Sequence, residues 1–218
     1  MSEIILMADA RVAAVPVEDN GEPLVDVRKA LLVDDRKHED SRGAEVHLRR
    51  GVLERLLTAQ ALLPDGLRLL FVEGYRPPPL QRLYFERYAD ELRAAHPDWS
   101  AGRVRSAASR FVSPPDLAPH SAGAAVDLTL ADPDGREVDL GTPMNAGPEQ
   151  SDGACYTGAR NITAEARAHR AVLGAALGAA GLVNYPTEWW HWSYGDRYWA
   201  LATGAPAALY GPRESVCG

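Results

Sequence analysis

Three short segments carry side chains whose types and spacing could do chemistry. The first is Ala118-Pro-His-Ser-Ala-Gly-Ala-Ala-Val-Asp127. Pro119 stiffens the approach to His120, Gly123 permits a sharp bend, and Asp127 falls on the polar face of an alternating stretch. A loop imidazole and a strand carboxylate can thereby converge on one point. Zinc takes such ligands at about 2.0–2.2 Å, although a plain His–Asp hydrogen bond is the simpler account of this segment alone. The second segment is Thr187-Glu-Trp-Trp-His-Trp-Ser-Tyr194. Residues three apart on an ideal strand point to opposite faces, so Glu188 and His191 share a site only if Glu188 precedes the strand on a turn or a bulge re-aims one of them. Pro186 favours the turn. His191 could then be a third ligand and Glu188 a non-ligand base beside an open fourth position, the division of roles in a catalytic zinc site. The competing reading is an aromatic core strand, with Trp189, Trp190, Trp192 and Trp199 close together.

The third segment, Glu73-Gly-Tyr-Arg-Pro-Pro-Pro79, follows an apolar run. Its prolines would hold Arg76 on a stiff loop, where a planar guanidinium can stabilise a developing oxyanion. A surface salt bridge to Glu73 or Asp90 is the alternative. His38 lies in a charged run, and His47, His96 and His169 lie in or at the ends of expected helices without an acidic and histidine-bearing neighbourhood; all four are read as structural. No HExxH helix, GxSxG elbow, P-loop or GxGxxG sequence occurs, so nucleophilic serine or cysteine catalysis lacks support.

In this order, Gly74-Tyr-Arg-Pro77, His120-x₆-Asp127 and Glu188-Trp-Trp-His191 resemble the VanX-type D-alanyl-D-alanine dipeptidases, a zinc peptidase group that also holds D,D- and L,D-carboxypeptidases. The resemblance implies His120, Asp127 and His191 as ligands of one Zn²⁺, Glu188 as catalytic acid/base, and Arg76 as transition-state stabiliser. It implies an α+β fold and a zinc dipeptidase acting on a small peptide. Asn145, Ser121 and Tyr75 are the expected substrate contacts. Two positions depart from the family pattern. Ala118 stands where the pattern has serine, and Asn145 stands where the pattern has the aspartate that meets a dipeptide's free ammonium. Asp152, Glu149 or another acid of the long loop would have to replace that charge. A carboxypeptidase trimming peptidoglycan-type peptides is the nearest rival reading, and a non-catalytic zinc-binding interaction module is another.

These residues need positioning elements. Apolar spacing from Val46 to Leu63 predicts a helix, Leu67 to Val72 a buried strand, and Pro77 to His96 a helix with Leu80, Leu83, Tyr84 and Tyr88 on one face. Ala124 to Leu130 alternates as a half-buried strand. Residues 131–160 form a long Gly-, Pro-, Asp- and Asn-rich loop, a length usually reserved for functional segments. A helix over Thr163–Ala180 stops at Gly181, and Leu182–Tyr185 and Trp189–Tyr194 read as final strands. Without regular βαβ alternation, the expectation is α+β with a small, largely antiparallel sheet flanked by helices in a single domain over 1–218.

Composition sets outer limits. The chain has 218 residues, 46 % hydrophobic and 24 % charged, with a net charge of −7. Apolar stretches fall short of the roughly 18 residues of a spanning helix, so no membrane role is expected. The acidic balance disfavours nucleic acid as a partner. The first residues lack the basic start and apolar core of a secretory signal, which predicts a cytoplasmic protein. Cys155 and Cys217 are the only cysteines. Two free thiols are the simple expectation in a reducing compartment, with a disulfide as the alternative. Residues 34–43 form a charged run that reads as a solvated loop.

Overall fold

The computed structural model describes residues 4–34 and 43–216. His38, Cys217 and most of the charged run lie outside the described residues. Among the described residues there are seven strands: β1 Leu24–Asp26, β2 Leu32–Val33, β3 His47–Arg49, β4 Arg68–Glu73, β5 Ala125–Ala131, β6 Val183–Asn184 and β7 His191–Ser193. The helices are α1 Ala10–Ala13, α2 Arg50–Leu62, α3 Pro78–Ala95, α4 Ala101–Ala108, α5 Ala164–Ala179 and α6 Arg197–Thr203. The main sheet runs β2-β4-β5-β7-β6, parallel only between β2 and β4, and β1 pairs with β3 in a second, antiparallel ribbon. This is the expected α+β architecture.

Alternation along β5 sorts its side chains. Val126, Leu128 and Leu130 join Leu69 and Phe71 of β4 in the core, against Val52 and Leu56 of α2 and Leu173 and Leu177 of α5. Asp127 and Thr129 point to the other face. That face is covered too, so β5 is buried throughout rather than half-buried. The covering parts come from distant sequence, which a local pattern does not contain.

Other expectations need adjustment. The helix expected from Val46 starts at Arg50, because His47–Arg49 is drawn into pairing with β1. Leu83 is exposed, whereas Gln81, Ala89 and Leu92 are the buried side of α3. The last two strands are shorter than expected, and Trp189 and Trp190 sit in a turn before β7, both buried. Helix α5 falls where predicted: the Thr163 hydroxyl caps it by accepting from Ala166 N at 3.0 Å, and Gly181 leaves it at φ +88°. Cys155 is a free, buried thiol. No helix among the described residues is long and apolar enough to cross a membrane.

Arg49 fastens three parts of the chain. Its buried guanidinium donates to Ala122 O at 2.8 Å, Glu22 O at 2.6 Å, Asp19 Oδ2 at 2.6 Å and Gly211 O at 2.8 Å. Its backbone N–H donates to Gly123 O at 2.9 Å, so the turn carrying His120 is anchored from both sides. Removing a partner from a buried ion pair commonly costs about 3–5 kcal/mol. Arg49→Ala is expected to lower unfolding stability in urea by about 3 kcal/mol or more; an unchanged midpoint would show that this anchor is dispensable.

Candidate active site

Three neighbouring strands place three polar residues side by side. In the antiparallel register, Asp127 of β5 stands opposite His191 of β7 and opposite Glu73 of β4. A register shift between Phe71 and Glu73 makes the second pairing possible. Without that bulge, Glu73 would share the core-facing side of Leu69 and Phe71.

His120 arrives from a 3-10 turn, Pro119–Ala122, whose exit at Gly123 has φ +64°. A Cβ on Gly123 would stand 2.2 Å from Leu24 Cδ2 and 3.4 Å from Arg49 N, so glycine serves both the turn and the close packing. His120 Nδ1 lies 2.6 Å from Gly74 O. A carbonyl only accepts, so Nδ1 carries the proton and Nε2 offers a lone pair to the site. Gly74 is itself pinned. Its N–H donates to Glu45 O at 2.7 Å, and a Cβ there would meet His47 O at 2.4 Å.

His120 Nε2, Asp127 Oδ1 and His191 Nδ1 form a buried triangle with edges of 3.2, 3.1 and 3.5 Å. All three residues are at most 4 % exposed. Burial works against the Asp127 charge, but the facing imidazoles, His120 first, outweigh it and hold the carboxyl well below its ordinary range. Burial pushes the His191 imidazole down, against the pull of Asp127, and favours its neutral form.

This donor set fits a zinc ion. Tetrahedral bonds of about 2.0–2.2 Å space ligand atoms roughly 3.3–3.6 Å apart, close to the edges of the triangle. His191 Nε2 is buried with no hydrogen-bond partner. That is consistent with the ring being turned by its Nδ1 towards the cluster. The Gly74 carbonyl is the outer partner that commonly fixes a ligating imidazole.

Glu188 stands beside the triangle without joining it. Its backbone N–H donates to Tyr185 O at 2.9 Å and its carbonyl accepts from His191 N at 3.2 Å, so it occupies the turn before β7. Its Oε2 is 3.9 Å from His191 Nδ1. Burial, and then the charge of Asp127, pushes its carboxyl well above the usual range, with Arg76 opposing.

Arg76 forms a two-pronged pair with Glu73, with Nε–Oε1 and Nη2–Oε2 both at 2.7 Å, and its Nη1 donates to Gln81 Oε1 at 2.9 Å. Gln81 Nε2 in turn donates to Ser113 O at 2.7 Å. The expected alternative, a salt bridge to Glu73, is therefore present but not on the surface, and it fixes the guanidinium in the site. Asp90 pairs with Arg93 instead. Burial opposes the Arg76 charge, yet Glu73 outweighs it and raises the guanidinium pKa; Arg76 likewise lowers Glu73 against the cost of its burial.

Arg76, His120, Asp127, Asn145, Glu188 and His191 all line one cavity of about 520 Å³. Two expected substrate contacts do not line it. The buried Tyr75 hydroxyl donates to Arg213 O at 2.7 Å, and the buried Ser121 hydroxyl donates to Arg76 O at 3.0 Å. Both build the wall behind the site. Glu149 is engaged by Arg110 at 2.6 Å and by the Tyr88 hydroxyl at 3.2 Å, and Asp152 lies outside the lining. The remaining histidines are structural as expected where they are described: His47 Nδ1 meets Gly43 O at 3.0 Å, His96 stacks on Trp99, and His169 Nδ1 meets Asp139 O at 2.8 Å. Sequence reasoning missed Gln81 and the bidentate role of Glu73. Gln81 reaches Arg76 from the first turns of α3, while Arg76 lies before that helix, so no local periodicity links the two.

An α+β sheet here gathers two imidazoles and a carboxylate, with a second carboxylate and an arginine at their side, as a candidate metal site. The chain belongs to the D-ala-D-ala dipeptidase family, whose model matches residues 36–204. It is 28 % identical over 221 aligned positions to a D-alanyl-D-alanine dipeptidase of Synechocystis, covering 86 % of this chain and 87 % of that one. A D-alanyl-D-alanine dipeptidase of Escherichia coli is 27 % identical over 127 positions, covering 58 % of this chain and 55 % of that protein. Among solved structures, the vancomycin resistance D,D-pentapeptidase VanY in complex with Zn(II) superposes with a TM-score of 0.43 at 16 % identity, over 90 % of this chain and 88 % of that one.

Zinc added at about 100 times its dissociation constant should stabilise the fold by about 2.7 kcal/mol, read as a rise in melting temperature. His120→Ala and His191→Ala are each expected to abolish that rise. A full shift in either variant would place the metal elsewhere.

Proposed function

We propose that this protein is a zinc dipeptidase that hydrolyses D-alanyl-D-alanine or a close relative. The observation that carries the reading is Glu188, a buried carboxylate beside but outside a three-residue ligand cluster, in one cavity with Arg76. Family membership and the names of the relatives supply the substrate class.

His120, Asp127 and His191 would hold the zinc, whose Lewis acidity lowers the pKa of water from 15.7 towards about 7 and polarises a carbonyl. The other steps belong to the chain. The Glu188 carboxylate accepts the proton of the attacking water and returns it to the leaving amine. Burial makes the protonated form of Glu188 accessible, which suits the return step. Glu73 and Gln81 each hold the Arg76 guanidinium by its N–H groups and leave further N–H groups on Nη1 and Nη2 for the substrate oxygen that gains charge. Buried apolar surroundings, Trp190 among them, keep bulk water from screening these charges.

One observation favours the rival carboxypeptidase reading. The cavity wall carries the neutral Asn145 where the family pattern has an acid for the substrate's ammonium. A blocked amino terminus would tolerate an amide there.

Glu188→Gln is expected to keep one zinc per chain and lose at least about 10²–10⁴-fold in turnover. Wild-type turnover in that variant would remove Glu188 from the proton path. Arg76→Ala should lower kcat by about 10²–10³-fold with zinc content intact; a rise in KM alone would make Arg76 a ground-state anchor instead.

A further inference from the structure

We propose that Arg170, on α5, is a positioning residue for Glu188: its guanidinium fixes the neck of the long loop from which the Glu188 turn is hung. The role rests on the hydrolysis proposed above, in which Glu188 carries the proton. Arg170 is buried and does not line the cavity. Its Nε donates to Leu140 O at 2.7 Å, its Nη1 to Tyr156 O at 2.8 Å and its Nη2 to Ala154 O at 2.9 Å. One planar fork thus ties the start of the loop to its end. These partners are carbonyls rather than a carboxylate, and burial pulls the guanidinium pKa down to about 10, which leaves it charged at neutral pH.

The neck holds the Glu188 turn at two backbone points. Between Ala154 and Tyr156, Cys155 O accepts from Trp189 N at 3.0 Å, and Thr157 N donates to Pro186 O at 3.0 Å. Glu188 lies between those points. The Trp189 indole adds a third tie by donating from Nε1 to Thr142 Oγ1 at 2.8 Å, and the Arg170 guanidinium carbon stands 5.5 Å from the centroid of the same ring. Arg170 therefore acts on Glu188 through the residue next to it, by a ring contact and by the carbonyl it flanks. His191 has separate support, since β7 pairs directly with β5, so the candidate ligand triangle does not depend on the neck. A lysine places one ammonium where three carbonyls need a fork. Proton transfer tolerates little displacement: a shift of about 1 Å can cost on the order of 10²-fold.

The test combines D-Ala-D-Ala turnover with hydrogen–deuterium exchange on wild type, Arg170→Lys and Thr142→Val. Arg170→Lys should keep one zinc per chain, lower kcat on the order of 10–10²-fold and leave KM within a few-fold. Exchange should rise over residues 184–190 and stay unchanged over 118–128. Thr142→Val, which cuts only the indole tie, should give a smaller loss of the same kind. In a Glu188→Gln background Arg170→Lys should cost nothing further, because a group that is absent cannot be displaced. Equal loss in both backgrounds, lost zinc, a loss confined to KM, or unchanged exchange over 184–190 overturns the assignment. Thr142→Val decides alone if Arg170→Lys does not fold: full kcat with unchanged exchange overturns it. A zinc-loaded wild type that leaves D-Ala-D-Ala intact overturns the dipeptidase reading instead, and the exchange data distinguish that failure from a neck that does not hold the turn.

Discussion

Three electron-rich atoms packed within 3.5 Å of each other in a buried site are the constraint around which this fold is arranged. Two imidazole nitrogens and a carboxylate oxygen would compete for too few protons if left alone, whereas a divalent cation satisfies all three at once. Such an arrangement survives only if the scaffold holds it. The sheet supplies Asp127 and His191 as direct register partners, and the Gly74 carbonyl fixes the tautomer of His120. Arg49 locks the turn that carries His120 from behind.

Electrostatics around the triangle follow from the same geometry. Asp127 is held ionised, and its charge together with burial raises Glu188. Glu73 would add a further negative charge at the same level of the sheet, but the bidentate pair with Arg76 offsets it and leaves a rigid donor group facing the cavity. A single bulge in β4 decides whether that pair exists at the site at all. Glu188, the candidate cation site and Arg76 are therefore coupled parts of one charge arrangement.

Much of this was legible in the residues. Alternation over 124–130 put Asp127 opposite the core face, and Pro186 signalled the turn that lets Glu188 and His191 share a site despite their spacing. What remained hidden was set by long-range contacts. His47–Arg49 falls within the stretch expected to be helical but pairs with β1, and the polar face of β5 is closed over by distant segments. Tyr75 sits in the motif next to Arg76, yet its hydroxyl is claimed by a carbonyl 138 residues away. Local pattern cannot register a bulge either, so Glu73 read as a surface partner rather than a member of the site.

The central claim is that His120, Asp127 and His191 bind one zinc ion through the three atoms that already face each other. Anomalous scattering at the zinc edge from crystals of the metal-loaded protein tests this most directly. The account predicts a single strong peak bonded to His120 Nε2, Asp127 Oδ1 and His191 Nδ1, with Glu188 outside bonding distance. A peak elsewhere, a His191 bonded through Nε2, or Glu188 as a direct ligand would contradict it.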